Sequence, residues 1–163
     1  MKKNMAGYWI FWMVCAFMIF SGGSLHAGDK KDMGGWGIDD PYNRYYNAAD
    51  IERFKAVVSD VIEVVPLPGM SPGVALLVKE GGEGDDIIVH LCPVWYKRAD
   101  RIGIKKGDKI SLRGHYTDIN GQEVIMAAKI KKKGAPLKVR LTSDGTPFWT
   151  MPPAQLKKEL SHD

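Results

Sequence analysis

Residues 109–131 read KISLRGHYTDINGQEVIMAAKIK, and this stretch decides the fold class. Apolar and polar side chains alternate through residues 109–117 and again through residues 123–131, which is the two-residue period of a strand with one buried face. Between these runs, Asn120 and Gly121 form the dipeptide that most readily adopts the positive φ angles of a tight turn. The stretch therefore predicts a β-hairpin.

Four further segments carry strand patterns separated by turn signals. The first is a β-branched run whose apolar positions change parity, which predicts a long strand with a bulge. The prolines and glycines of residues 66–73 interrupt it and predict a loop, and a Gly-rich acidic turn joins the next two strands. The predicted strands cover residues 57–65, 74–78, 87–91 and 137–141.

Residues 94–104 have a helical pattern instead. Trp95, Ala99 and Ile102 recur at spacings of four and three, which predicts one short helix whose Trp95 plugs one end of a barrel. Three strands, a helix, two strands and a sixth short strand match the Greek-key barrel that binds oligonucleotides and oligosaccharides, the OB fold. We therefore predict an all-β OB-fold barrel of five to six strands, with one short helix between strands 3 and 4.

The N-terminus has the organisation of a secretory signal peptide. Lys2 and Lys3 precede an apolar run over residues 8–20, and small residues lead from it to Ala27. This run is shorter than the roughly 20 residues that span a bilayer, and an uncleaved anchor is the alternative. The predicted organisation is a signal peptide (residues 1–27), a flexible lead-in (28–50), the OB-fold barrel (51–149) and a C-terminal tail (150–163).

Composition excludes several classes of protein. The 163 residues are 45% hydrophobic and 26% charged, which is typical of a globular chain rather than a disordered, coiled-coil or collagen-like one. Lys and Arg exceed Asp and Glu by only 23 − 19 = 4, so we expect no positive field on the scale of nucleic-acid-binding proteins. Beyond Ala27 the single cysteine is Cys92, which excludes an internal disulfide in the exported domain and favours a buried thiol.

One motif relates the chain to a known family. Residues 89–96 read VHLCPVWY, followed by Gly103, by KKGD at residues 105–108 and by GQE at residues 121–123. Over residues 56–149 the pattern resembles exported bacterial OB-fold proteins with the motifs VHLGPxW, xKxGDxVxVxG and DGxxxIxAxxI, including the C-terminal domain of magnetosome proteins of the MamS and MamX kind. The resemblance implies the OB fold and a periplasmic location, and it leaves the function unassigned.

His90 and Cys92 are the candidate metal ligands. They lie two positions apart on a predicted strand, so their side chains should point the same way. Met70 and His115 could complete a copper or zinc set, but two ligands are too few, and a buried histidine bonded to backbone explains His90 equally well. Cys92 replaces a glycine of the family pattern, and without a Cys-x-x-Cys-His motif covalent haem is excluded. A carrier of metal or non-covalent haem stays an alternative.

Single-stranded nucleic acid is a second alternative, since OB folds often bind it through aromatic side chains and a basic groove. Residues 97–98 and 129–133 are basic, but the predicted second and third strands are aliphatic apart from His90. Carboxylates such as Asp118 fall in predicted turns, and no Ser-His-Asp, phosphate-loop or His-rich metal pattern occurs. We therefore expect no enzymatic activity and disfavour nucleic acid as a partner.

These patterns lead to one main functional hypothesis. We predict a non-catalytic periplasmic adaptor without a cofactor, which meets the membrane only through its signal sequence before cleavage. Its partner would be an envelope protein or a small ligand, bound by the loops at the mouth of the barrel and the adjoining strand face. The candidate binding residues are Leu67, Met70, His90, Trp95, His115 and Asn120.

Overall fold

The structure is a computed structural model that describes residues 32–162. Residues 1–31 and 163 lie outside the described residues, and the predicted signal peptide lies among them. The described chain is mostly β-strand, which confirms the all-β class. Its elements are β1 (Ile51–Val64), β2 (Gly73–Glu80), β3 (Ile87–Pro93), β4 (Lys109–Ile119), β5 (Gln122–Lys131), β6 (Leu137–Lys138) and α1 (Pro153–Ser161).

The six strands form one sheet in the order β3-β2-β1-β4-β5-β6. Neighbours in this order pair antiparallel. A further, parallel pairing joins β3 to β5, with Ile88 opposite Val124 and His90 opposite Met126. The pairings β1–β2, β2–β3, β3–β5, β5–β4 and β4–β1 form a closed cycle, so each of these five strands has a partner on both sides.

β1 is long because β4 pairs with its first half and β2 with its second half. Its register shifts between Val58 and Asp60, which confirms the predicted bulge. The strand begins at Ile51, earlier than the predicted start at residue 57, because the preceding helical turn is confined to Ala48–Asp50.

Alternate residues are buried along much of β1 and β4, as the period of a strand requires, whereas residues 124–128 of β5 are all buried. Phe54, Leu112 and Ile130 belong to the hydrophobic core, and each is flanked by a charged neighbour that is more exposed. Around these three core residues, the opposite face of the strands is therefore polar. Among residues 32–162, no helix combines the length and the apolar character needed to cross a bilayer.

The helix predicted over residues 94–104 is wrong. This segment contains one 3₁₀ turn, Ala99–Arg101, and α1 near the C-terminus is the single α-helix among the described residues. The carbonyl of Pro93 accepts a hydrogen bond from the amide three residues later at 3.0 Å, which closes a tight turn, and Gly103 has a φ of 74° that no α-helix accommodates. Trp95 is consequently 46% exposed, which contradicts the prediction that it plugs one end of a barrel.

Residues 32–50 differ from the flexible lead-in that the sequence predicted. They form two short 3₁₀ turns, and Trp36 and Tyr42 are buried in the core. Trp36 packs closely against β2 because Gly73 has no side chain there, and a Cβ at Gly73 would lie 2.4 Å from the Trp36 ring. These residues are therefore a structured layer over the sheet.

β6 is shorter than the strand predicted over residues 137–141, since Leu137–Lys138 alone pairs with β5. The amides of Val139 and Arg140 both donate to the carbonyl of Ala128, at 2.9 and 3.1 Å. Two donors on one acceptor end the regular ladder at this point. The chain leaves the sheet here, and Arg140 becomes buried.

Candidate functional site

Three of the predicted binding residues lie at one end of the strand cycle. Leu67 and Met70 are half-buried in the loop between β1 and β2, where the Met70 amide donates to the Leu67 carbonyl at 3.1 Å. The Val94 amide donates to the Pro72 carbonyl at 3.0 Å, which ties this loop to the segment that carries Trp95. We call Leu67, Met70 and Trp95 the Trp95 rim.

Asn120 lies towards the other end of β3. It has a φ of 55° and Gly121 a φ of 82°, which confirms the predicted hairpin turn. The turn leads into β5, whose Val124 pairs with Ile88 near the start of β3, whereas the Trp95 rim follows Pro93 at the end of β3. The structure does not bring Asn120 together with the rim.

The two predicted histidines are separated by one strand. Met126 of β5 pairs with His90 on one side and with His115 on the other. The Nδ1 atom of His115 lies 3.3 Å from the carbonyl oxygen of Asp50, and its ring centroid lies 6.0 Å from that of Tyr46. His115 therefore contacts the segment that precedes β1 rather than His90.

His90 is buried against Tyr42, with Nδ1 3.2 Å from the tyrosine hydroxyl. Two effects lower the pKa of His90 from 6.5 to about 4. The larger is burial, and the smaller is the nearby Arg140 cation. His90 is therefore a neutral imidazole at neutral pH.

Cys92 is also buried, and its thiol lies 3.8 Å from the carbonyl oxygen of Lys97. Burial raises the pKa of Cys92 to about 12, so at neutral pH this residue is a thiol and not the thiolate that binds metals. His90 contacts Tyr42 by the hydrogen bond described above. Within residues 32–162, no group of three or more His, Cys, Asp or Glu side chains is placed to hold a metal ion.

A buried arginine that the sequence did not predict lies beside His90. Arg140 is 3% exposed, and its Nη1 donates to Asn43 Oδ1 at 2.7 Å and to the Gly145 carbonyl at 3.3 Å. Its guanidinium carbon lies 5.0 to 5.9 Å from three aromatic ring centroids, an arrangement that offsets part of the desolvation of a buried cation. We call these residues the Arg140 cluster: Arg140, Tyr42, Tyr46 and Trp149.

Burial sets the protonation states of the cluster. It raises the pKa of Tyr42 and of Tyr46, and the Arg140 cation opposes both increases. It also lowers the pKa of Arg140, which stays protonated because the ordinary pKa of a guanidinium is so high. The cluster therefore holds one positive charge among neutral rings, and no titration near neutral pH equips it for acid–base chemistry.

Trp36 connects the Arg140 cluster to the loop of the Trp95 rim. The indole of Trp149 donates to the Trp36 carbonyl at 2.8 Å, and the indole of Trp36 donates to the Ser71 carbonyl at 2.9 Å. Trp36 also packs edge-on against Tyr42, with ring centroids 4.9 Å apart. The only sequence signal for this assembly is the aromatic content of a segment that has no periodicity.

Comparison with protein families matches the chain to the MamS/MamX magnetosome protein family over residues 50–137, which is more than half of the chain. The chain belongs to this family. The match confirms the resemblance that the VHLCPVWY motif indicated. In this MamS/MamX family member, the matched residues contain β1 to β5, whereas Tyr42, Arg140 and Trp149 lie outside them. No curated protein and no solved structure matches the chain significantly.

Proposed function

We propose that this MamS/MamX family member is a non-catalytic binding module associated with the magnetosome. In this proposal the protein is exported to the periplasm, strands β1 to β5 form an OB-fold barrel, and the Trp95 rim contacts a protein partner. The observation that carries the proposal is Trp95, a large aromatic side chain left 46% exposed at the end of the strand cycle where Leu67 and Met70 are half-buried.

The closed cycle of strand pairings supports the OB-fold barrel. OB folds are five-stranded Greek-key barrels in which closure removes the exposed strand edges, and the parallel β3–β5 pairing supplies that closure here. The loop between β1 and β2 is one of the loops that such barrels use for binding. Leu67 and Met70 lie on this loop.

The chemistry of the buried polar groups supports a non-catalytic role. General acid–base catalysis requires a pKa near the operating pH. Burial moves the pKa of His90 to about 4 and that of Cys92 to about 12, both far from neutrality. The raised pKa of Cys92 disfavours the thiolate that the metal-carrier alternative needs, whereas the neutral imidazole of His90 is the form that binds metals.

The Trp95 rim has the composition of a binding hot spot. Tryptophan and methionine are enriched in protein interfaces, where large apolar side chains give most of the binding energy. Val65, in the adjoining residues after β1, is a further exposed apolar side chain at 55%. Single exposed apolar residues are common, but several at one end of a small domain indicate a contact surface.

The experiment that tests the rim uses the tagged protein in a magnetosome-forming bacterium. The fraction recovered with purified magnetosomes should fall several-fold when Trp95→Ser and Met70→Ser are combined. Leu160→Ser is the matched control, because Leu160 is 52% exposed on α1 and lies outside the rim. Equal recovery of the rim variant and the wild type would contradict the rim, and absence of the wild type from the magnetosomes would contradict the association itself.

Export is tested separately on the same cells. The N-terminal sequence of the mature protein should begin at Gly28, as expected after removal of residues 1–27. Tagged protein released with the periplasmic fraction would agree with this, whereas protein that starts at Met1 in the cytoplasm would contradict export.

A further inference from the structure

The exposed face of β1, β4 and β5 carries neighbouring cations. The strand registers place Arg53 directly opposite Arg113, and Arg113 directly opposite Lys129. One row along the same strands, Ser111 lies opposite Lys131. These five residues come from three adjacent strands, so a rigid sheet and not a flexible loop positions them.

The same five side chains line a cleft of about 100 Å³ that opens to solvent, and we call it the Arg53 cleft. No carboxylate of the described residues lines it. Glu52 lines a neighbouring depression together with Arg53 and Arg113. Arg53, Arg113 and Lys131 therefore present three cationic groups, and Ser111 one hydroxyl, to whatever enters the cleft.

Such an arrangement opposes folding. Like charges directly opposite each other on paired strands destabilise a sheet, and Arg53 of β1 lies directly opposite Arg113 of β4. Arg140 shows how this protein holds a cation when no ligand is involved, between aromatic faces and hydrogen-bond acceptors. Arg53 and Arg113 have a second cation as their register partner instead, which is the arrangement expected where an anion completes the site.

The donors in the cleft favour a compact anion with several oxygens. Each arginine presents a planar fork of N–H donors that matches two oxygens of a phosphate, and each lysine supplies a point charge. The Ser111 hydroxyl adds a neutral donor. A carboxylate has only two oxygens and one charge, so it would leave several of these donors unmatched, whereas a tetrahedral oxyanion with up to two charges matches the set.

We propose that the Arg53 cleft binds a phosphate-class oxyanion, either free phosphate or the phosphate of a lipid headgroup. Arg53 and Arg113 hold the anion from β1 and β4, and Lys131 completes the charge from β5. This site is separate from the Trp95 rim and does not depend on it.

The test is a calorimetric titration of the purified full-length protein with inorganic phosphate at constant ionic strength. We expect saturable binding at one site, and no comparable binding of acetate. Arg113→Gln should weaken phosphate binding about tenfold or more, because it removes a charge-assisted bidentate contact. Arg98→Gln removes the same kind of charge from the exposed segment after β3 and should leave the affinity unchanged.

Vesicles distinguish the two sources of phosphate. Retention on phosphatidylglycerol vesicles but not on phosphatidylcholine vesicles, with loss of retention in Arg113→Gln, would assign a lipid phosphate. Phosphate binding without Arg113-dependent retention on vesicles would assign free phosphate.

Three results would overturn the proposal. The first is acetate binding as strong as phosphate binding, and the second is equal weakening by Arg113→Gln and Arg98→Gln. The third is binding of a single-stranded oligonucleotide without binding of inorganic phosphate, which would make this face an extended polyanion surface. The folded state is checked without ligand, and Arg53→Gln and Arg113→Gln should each unfold at the wild-type temperature or above. A clear loss of stability in both variants would show that the cations are structural and would also overturn the site.

Discussion

Two regions of this molecule place arginine side chains in opposite environments. In the Arg140 cluster the guanidinium is almost fully buried, and aromatic rings and two hydrogen-bond acceptors surround it. In the Arg53 cleft the guanidinium groups of Arg53 and Arg113 are exposed and face other cations. Burial of a charge is tolerated only with such compensation, which the first region supplies from within the fold. The second region lacks this compensation within its strands, and an anionic ligand would supply it.

The largest effect that separates the two regions is expected from Arg140→Ala. This change leaves a cavity among the rings of the Arg140 cluster and leaves the Asn43 side-chain oxygen and the Gly145 carbonyl without their donor. We expect a loss of about 4 kcal/mol in the free energy of unfolding. Urea unfolding measures it, with Arg113→Ala as the exposed counterpart, for which we expect a change within about 0.5 kcal/mol. Similar losses in both variants would erase the distinction between the regions.

The next largest effect is a pH dependence that originates at His90. Its pKa is about 4 in the folded protein and 6.5 without burial, so below pH 6.5 the unfolded chain binds the proton more readily. The contribution of His90 is therefore complete above pH 6.5 and is lost as the pH falls towards 4, by about 3 kcal/mol in all.

Urea unfolding of the wild type and of His90→Gln between about pH 7 and pH 4 isolates this contribution, because the carboxylates titrate in both proteins. As the pH falls, the unfolding free energy of the wild type should therefore decrease relative to that of His90→Gln. A difference that does not change with pH would show that His90 titrates normally and is not held in the buried environment of Tyr42.

A smaller effect tests how residues 32–50 pack against the sheet. Gly73→Ala places a methyl group 2.4 Å from the Trp36 ring, so the ring must move and disturb its contacts with Tyr42. We expect a loss of about 2 kcal/mol, which is typical of overpacking in a core. The loss should shrink when Trp36→Leu is already present, since the clash is then removed. Additive losses in this double-mutant cycle would mean that Trp36 does not pack on Gly73.

The smallest effect concerns the Arg53 cleft in the absence of a ligand. Arg113→Gln relieves repulsion with Arg53 and should stabilise the protein by about 0.5 kcal/mol at low salt. Because the Debye length falls to about 3 Å in 1 M salt, this gain should disappear there. Thermal unfolding at the two salt concentrations measures it, and destabilisation at low salt would indicate that Arg113 has a favourable partner in the folded protein.

The strands were largely predictable because their signals are local. The alternation of residues 109–131 and the Asn120-Gly121 turn predicted β4, β5 and their hairpin, and the structure confirms all three. The helix after β3 failed because three apolar residues at helical spacing describe a face without showing that anything packs on it. In this segment the turn closed by the Pro93 carbonyl and the positive φ of Gly103 prevent an α-helix.

The candidate sites were less predictable than the strands. Leu67, Met70 and Trp95 were identified and do lie at one end of the molecule, but Trp95 is there because the predicted helix is absent. The Arg53 cleft could not be predicted from the sequence, because Arg53 and Arg113 become neighbours only through the register of β1 with β4. Strand period predicts which face a residue occupies, whereas register depends on the whole sheet.

The amino-acid sequence by itself determined the all-β class, most strand positions, the hairpin turn and membership of the MamS/MamX family. These properties follow from the two-residue period of strands, the φ preferences of turn residues and a contiguous motif. Only the tertiary structure decided that Trp36 and Tyr42 belong to the core and that Arg140 is buried among aromatic rings. Arg140 and its acceptor Asn43 are 97 positions apart, so the contact that makes burial of this charge tolerable exists only after the chain has folded.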